Sequence, residues 1–115
     1  MPSTTTYKKW DIVLVSFPFT DFTSDKRRPA LIVSPDNFNV GLDVTIVFIT
    51  SQINSPSRVG DYYLKNWSEA GLPKPSLVRM KFATLHKSII VKKLGQLESD
   101  DRAEIEKILI SFFGL

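Results

Sequence analysis

The stretch from Ser88 to Leu115, SIIVKKLGQLESDDRAEIEKILISFFGL, changes its hydrophobic period part-way along, and that change decides the fold class. Ser88 to Lys92 reads as a short strand and Lys93-Leu94-Gly95-Gln96-Leu97 as a turn. Beyond the turn, Ile105, Ile108, Leu109 and Phe112 recur at the spacing of one helix face. Ser99 is a candidate cap for that helix, and Asp100 and Asp101 place negative charge at the positive end of its dipole. Gly114 suits a left-handed stop. Strands followed by one terminal helix predict a mainly β (α+β) domain with the helix packed on the sheet.

Working back towards the N-terminus, Ser76 to Leu85 alternates as a strand. Val78, Met80 and Phe82 share one face; Leu77, Arg79, Lys81 and Ala83 share the other. Val44 to Ile49 and Ala30 to Ser34 are short apolar runs that read as central strands, the latter closed by a turn at Pro35-Asp36-Asn37. Trp10 to Phe17 is apolar on both parities, which predicts burial on both faces, and Pro18 ends it. Val59 to Leu64 is a weaker strand candidate, followed by a helical turn or irregular loop over 65–71. Between Pro18 and Arg28 the chain turns polar for about ten residues, longer than the roughly 4–6 of an ordinary connection. Ordered loops of that length tend to carry function.

With 115 residues the chain is one domain's worth, and a domain this small gains from an oligomer interface. Residues 1–8 read as a flexible lead and 9–115 as a single domain. No apolar leader or membrane-length run is present, so a soluble cytoplasmic protein is expected. The absence of cysteine excludes disulfides, thiolate zinc sites and cysteine nucleophiles, and His86, the single histidine, excludes a multi-histidine metal cluster. With no phosphate-binding glycine loop either, no metal or other cofactor is expected. The formal charge of +3 is uneven: +2 over residues 1–34, −2 over 35–71, +5 over 72–98 and −2 over 99–115.

Four features are candidates for chemistry, each with a plainer alternative. Lys26-Arg27-Arg28, running into Pro29 and a buried strand, would hold a guanidinium on a rigid element for phosphate recognition, or would simply be solvated loop charge. Thr50-Ser51-Gln52 ends a central strand with groups able to bond a phosphate oxygen or base edge, or their own backbone in a turn. Arg79 and Lys81 share a strand face and would form an electrostatic track, or an ordinary solvent-facing surface, or an ion pair with an acidic residue of the C-terminal helix. Phe19, Phe22 and Trp67 are open to base stacking or to the core. His86 can be structural or a proton carrier.

Taken in order, Trp10-Asp11-Ile12-Val13-Leu14-Val15, Phe17-Pro18-Phe19-Thr20-Asp21, Arg28-Pro29-Ala30-Leu31-Ile32-Val33-Ser34, Ile49-Thr50-Ser51-Gln52-Ile53, Gly71-Leu72-Pro73-Lys74-Pro75-Ser76-Leu77-Val78-Arg79 and Lys93-Leu94-Gly95-Gln96-Leu97 resemble the MazF/PemK toxins of bacterial toxin–antitoxin systems. The match runs over nearly the whole chain after about Lys8. The resemblance implies a small SH3-like, partly open barrel of antiparallel strands with a C-terminal helix, assembled as a homodimer. It also implies a metal-independent endoribonuclease that cuts single-stranded RNA at short sequences, and a cognate antitoxin with an acidic C-terminal segment. The family's catalytic Arg and Thr carry over to Arg28 and Thr50, and a further active-site arginine of part of the family to Arg79. Lys26, Arg27, Ser51, Gln52, Ser76 and Lys81 are the expected substrate contacts. Some relatives carry a loop histidine and an aspartate two residues beyond the arginine matching Arg79; here the loop has no histidine and position 81 is lysine.

The implied reaction is attack of the ribose 2′-hydroxyl on the adjacent phosphorus, giving a 2′,3′-cyclic phosphate and a 5′-hydroxyl. Arg28 and Thr50 would stabilise charge on the nonbridging oxygens, and Arg79 would hold the phosphate or assist the leaving group. Two alternatives share the expected fold. One is a CcdB-like toxin that poisons gyrase, although the chain ends Phe112-Phe113-Gly114-Leu115 rather than in that type's Trp-Gly-Ile. The other is a non-catalytic nucleic-acid-binding barrel.

Overall fold

In the computed structural model, residues 6–17 and 26–115 are described, together with all side chains among them except those of Phe17 and Lys26. Six antiparallel strands form one sheet: β1 (Asp11–Phe17), β2 (Lys26–Ile32), β3 (Asp43–Thr50), β4 (Tyr62–Tyr63), β5 (Leu77–His86) and β6 (Ile90–Gln96), in the order β4-β5-β3-β2-β1-β6. The sheet is open, with β4 and β6 as its edges. Register shifts between Val47 and Phe48 on β3 and at two points on β1 mark bulges, which bend strands and increase twist. A short helix α1 (Asp36–Asn39) replaces the expected turn after β2, and α2 (Ser99–Phe113) closes the chain. Among the described residues no helix is long and apolar enough to cross a membrane.

The central strands are buried on both sides, as their continuous apolar runs require. On one face Ile12, Leu31, Val47, Ile49 and Val78 pack beneath Leu64, Ala70, Leu72 and Ile105 of α2. On the other, Val13, Val15, Ala30, Ile32, Val44 and Ile46 pack with Leu85, Ile89 and Ile90. Tyr7, from the segment read as a flexible lead, packs on this second cluster. Each fully buried Val, Leu or Ile of this kind contributes about 1.5–3 kcal/mol relative to exposure.

Several elements differ from the sequence reading. The expected strand at 88–92 and turn at 93–97 give way to a 3-10 turn at Lys87–Ile89 and strand β6, because pairing with β1 carries the chain extended through Lys93, Gly95 and Gln96. β2 begins at Lys26, so Arg27, Arg28 and Pro29 lie on a strand paired with Ser16, Val15 and Leu14, not in a loop. The candidate strand at 59–64 shrinks to Tyr62–Tyr63, because only Val78 and Leu77 pair with it. At the helix start the cap position is Glu98, without a side-chain cap bond, and Ser99 is already helical. Gly114 is left-handed as expected, with φ +69°.

Asp101 does more than complement the dipole. Its buried carboxylate accepts from the Tyr62 hydroxyl (2.6 Å) and the N–H groups of Lys65 (3.0 Å) and Asn66 (2.9 Å), fastening the 62–66 segment to α2. Burial first, and then the Asp101 carboxylate, push the Tyr62 hydroxyl's pKa well above the ordinary phenol value. Farther along, the chain passes so close to β6 that a Cβ on Gly71 would lie 2.2 Å from the Leu94 carbonyl oxygen, and one on Gly95 would lie 2.2 Å from that of Ala70. Gly71 also has φ +92°, so both geometry and space demand glycine.

Candidate nucleic-acid cleft

β2 and β3 pair only from Ala30–Phe48 to Ile32–Ile46. Continuing that register would set Pro29 opposite Ile49 and Arg28 opposite Thr50, but Pro29 has no N–H with which to extend the ladder. Beyond it a cleft of about 510 Å³ is lined by the start of β2 and the end of β3. Arg27 and Arg28 contribute from the first, Thr50 with the following Ser51 and Gln52 from the second. Leu72, Pro73, Lys74 and Ser76 complete the lining from the loop whose base crosses β6 at Gly71.

Among the described residues the lining holds three cations, Arg27, Arg28 and Lys74, and no acidic side chain. Among the described residues none of the three has an ion-pair partner. The Thr50 Oγ1 accepts from the Gln52 N–H at 3.1 Å, so the hydroxyl proton remains available for a ligand. Ser51 and Gln52 are exposed. Ser76, an expected substrate contact, is buried, and its hydroxyl donates to the Lys74 carbonyl at 2.8 Å.

Arg79 is placed elsewhere. It stands opposite Phe48 on β5, and its Nε and Nη2 donate to Asp61 Oδ1 (3.1 Å) and Oδ2 (2.8 Å) in a two-pronged ion pair. Their side chains are 14% and 3% exposed, and Arg79 is not part of the cleft lining. The Arg79 guanidinium, against the opposing effect of burial and helped by the Arg58 N–H at 2.9 Å, holds the Asp61 carboxyl below the usual carboxylate range. Asp61 in turn raises the Arg79 pKa. Lys81 is exposed, with its Nζ 5.7 Å from the Phe48 ring. The expected Arg79–Lys81 track is therefore not a pair of free cations, because one of them is neutralised within the fold.

The remaining candidates also resolve. Trp67 is partly buried against the first core cluster and not set out for stacking. His86 Nδ1 accepts from the Ser88 N–H at 3.1 Å, capping a 3-10 turn at Lys87–Ile89, a structural task. Phe19, Phe22 and the Lys26 side chain lie outside the described residues. Lys74 was missed as a site residue, although its two flanking prolines signal a rigid, exposed presentation. Among the described residues no three His, Asp or Glu side chains gather as a metal site.

An open, bulged antiparallel sheet with a terminal helix and a cationic, hydroxyl-bearing cleft at one end of its central strands defines a small, mainly β protein with a cleft suited to a polyanion. A family model described as "PemK-like, MazF-like toxin of type II toxin-antitoxin system" matches residues 8–113. The chain belongs to this family of toxins. In structure it is similar to "Endoribonuclease in complex with its cognate antitoxin from Mycobacterial species" at 18% identity, covering 97% of each chain with a TM-score of 0.74. It is similar to MazF from Deinococcus radiodurans at 22% identity, covering 97% of this chain and 100% of that one with a TM-score of 0.74. The Mycobacterium tuberculosis toxin MazF-mt6 is 20% identical, with 91% of this chain and 97% of that one covered and a TM-score of 0.72. At these identities the likeness establishes the fold. No curated protein matches the sequence.

Proposed function

We propose that this toxin is a sequence-specific, metal-independent endoribonuclease for single-stranded RNA, with Arg28 and Thr50 as its catalytic residues. The observation that carries the reading is the cleft itself, in which, among the described residues, cations without an ion-pair partner and hydroxyl and amide groups converge with no carboxylate beside them. In the reaction a bond forms between the ribose 2′-oxygen and phosphorus while the bond from phosphorus to the 5′-oxygen breaks. The proton released from the 2′-hydroxyl passes to water, and the departing 5′-oxygen takes one up. Arg28 and Thr50 donate to the nonbridging oxygens as charge builds there, the place where fixed donors have the greatest effect. Arginine stays protonated at neutral pH, so Arg28 serves as an electrostatic group and not as a base. Arg27, Ser51 and Gln52 contact the substrate from the same lining.

Arg79, committed to Asp61, we assign to positioning: it holds the 56–61 segment, through Asp61 and the Pro56 carbonyl (3.4 Å), against β5. A homodimer in the bacterial cytoplasm, inhibited by an antitoxin with an acidic C-terminal segment, completes the reading. Support for the dimer comes from the end of α2, where Ile110, Phe112, Phe113 and Leu115 are 52%, 43%, 56% and 88% exposed. An acidic peptide suits the cations of the cleft. A gyrase poison is not favoured, given the family matched.

The test is incubation of the purified protein with a long RNA in EDTA, mapping the ends formed. Cyclic phosphates and 5′-hydroxyls at a short recurring sequence are expected. A single 2′-deoxy substitution at the scissile nucleotide should abolish cutting; continued cleavage there would refute attack by the 2′-oxygen. Binding without cleavage would identify a non-catalytic barrel.

A further inference from the structure

Lys74 enters the cleft from the loop wall, whereas Arg27 and Arg28 belong to a strand. The cleft volume of about 510 Å³ is that of a pocket for a nucleotide-sized ligand, not for one phosphate group. A second backbone phosphate of a bound strand therefore needs its own counter-charge, and among the described residues Lys74 is the cation of the lining outside β2.

Its backbone is unusually well held. Pro73 and Pro75 each restrict φ on either side of it. The Ser76 hydroxyl, from a residue only 5% exposed, fixes the Lys74 carbonyl at 2.8 Å. At the base of the loop, Gly71 lies against the backbone of Leu94 and Gly95. Binding then has to order the lysine side chain alone, which lowers the entropic cost of the contact.

We infer that Lys74 binds a backbone phosphate of the RNA other than the one attacked, and that Ser76 is a positioning residue for Lys74 and not itself a substrate contact. The inference rests on the ribonuclease reading. A lysine on a phosphate gives affinity without sequence preference and releases a counterion, so its signature is salt dependence.

The experiment measures the affinity of a fluorescent single-stranded RNA, 2′-O-methylated throughout so that it cannot be cut, across a salt series. For Lys74→Ala, the slope of log affinity against log salt should become shallower by about 0.7, the value for one phosphate contact on a single strand. Affinity at low salt should fall several-fold, equally for probes of different sequence, and Lys74→Arg should restore the slope. Ser76→Ala retains the charge, so it should weaken binding while leaving the slope at its wild-type value. An unchanged slope in Lys74→Ala overturns the assignment of Lys74, and a slope lost in Ser76→Ala overturns that of Ser76. If wild type cuts unmodified RNA but Lys74→Ala leaves the slope intact, only this inference fails. If wild type neither binds nor cuts RNA, the ribonuclease reading fails with it.

Discussion

Two strand-borne arginines end in opposite circumstances. Arg28, on β2, stands where the ladder to β3 has stopped, exposed and without an ion-pair partner among the described residues. Arg79, on β5, is closed over by Asp61, whose carboxylate takes two of its donors. Both are arginines in basic segments, and for both the resemblance to the MazF/PemK toxins implies an active-site role. What separates them is whether the fold supplies a counter-charge. A cation left unpaired in a cleft is available for a ligand, whereas one paired at 2.8 Å is already spent on holding the chain.

The sharpest way to break this contrast is to remove the free donors. Arg28→Ala and Thr50→Ala should each slow RNA cleavage by roughly 100- to 1,000-fold, the effect of deleting one preorganised donor. Thermal stability should change little, by about 0.5 kcal/mol or less, because neither side chain is buried or ion-paired. Rates near wild type for both variants would refute the assignment of the site.

A smaller effect should come from Arg79→Met or Asp61→Asn, each leaving the other member without its partner. Both should lower the melting temperature and speed proteolysis in the 53–61 segment, and cleavage should fall less than in Arg28→Ala. The exchanged pair, Asp61→Arg with Arg79→Asp, separates the two roles. It should recover part of the stability and activity if Arg79 only positions the loop. A fully inactive but folded exchanged pair would place the Arg79 guanidinium on the substrate.

The smallest effect is a pH dependence confined to the paired region. Asp61 has a lowered folded-state pKa, so in acid the unfolded chain binds its proton first and stability rises with pH. Its contribution is complete above the unfolded carboxyl value of about 3.9 and is lost as pH falls through the lower folded value. Denaturation curves between about pH 2 and 5 should therefore be less steep in pH for Asp61→Asn than for wild type. Equal slopes would mean that the pair contributes nothing to acid stability.

Local signals carried the strands and the helix well. The double-sided apolar pattern of Ile12 and Val13, and of Ile46 and Val47, is a property of a few adjacent residues, and so is the left-handed stop at Gly114. Arg28 and Thr50 stand out in the sequence through motif order, and the structure sets both in the lining of one cleft, just beyond the point where β2 and β3 cease to pair. The Asp61–Arg79 pair was not legible there, because its members lie 18 positions apart and meet through the β4–β5 pairing. Nor was the true start of β2, since Lys26-Arg27-Arg28 has a loop's composition and becomes strand only by pairing with β1. Long-range pairing overrides local propensity in these places.

The crossing of Gly71 over Gly95 also orders events in time. The cleft's loop wall rests on β6, and among the strands β6 pairs with β1 alone. The chain therefore joins its earliest strand to its last before that wall has anything to lean on. During synthesis from the N-terminus, Arg28 and Thr50 emerge long before the surface that completes their cleft, so a partly made chain carries these two side chains without the finished cleft.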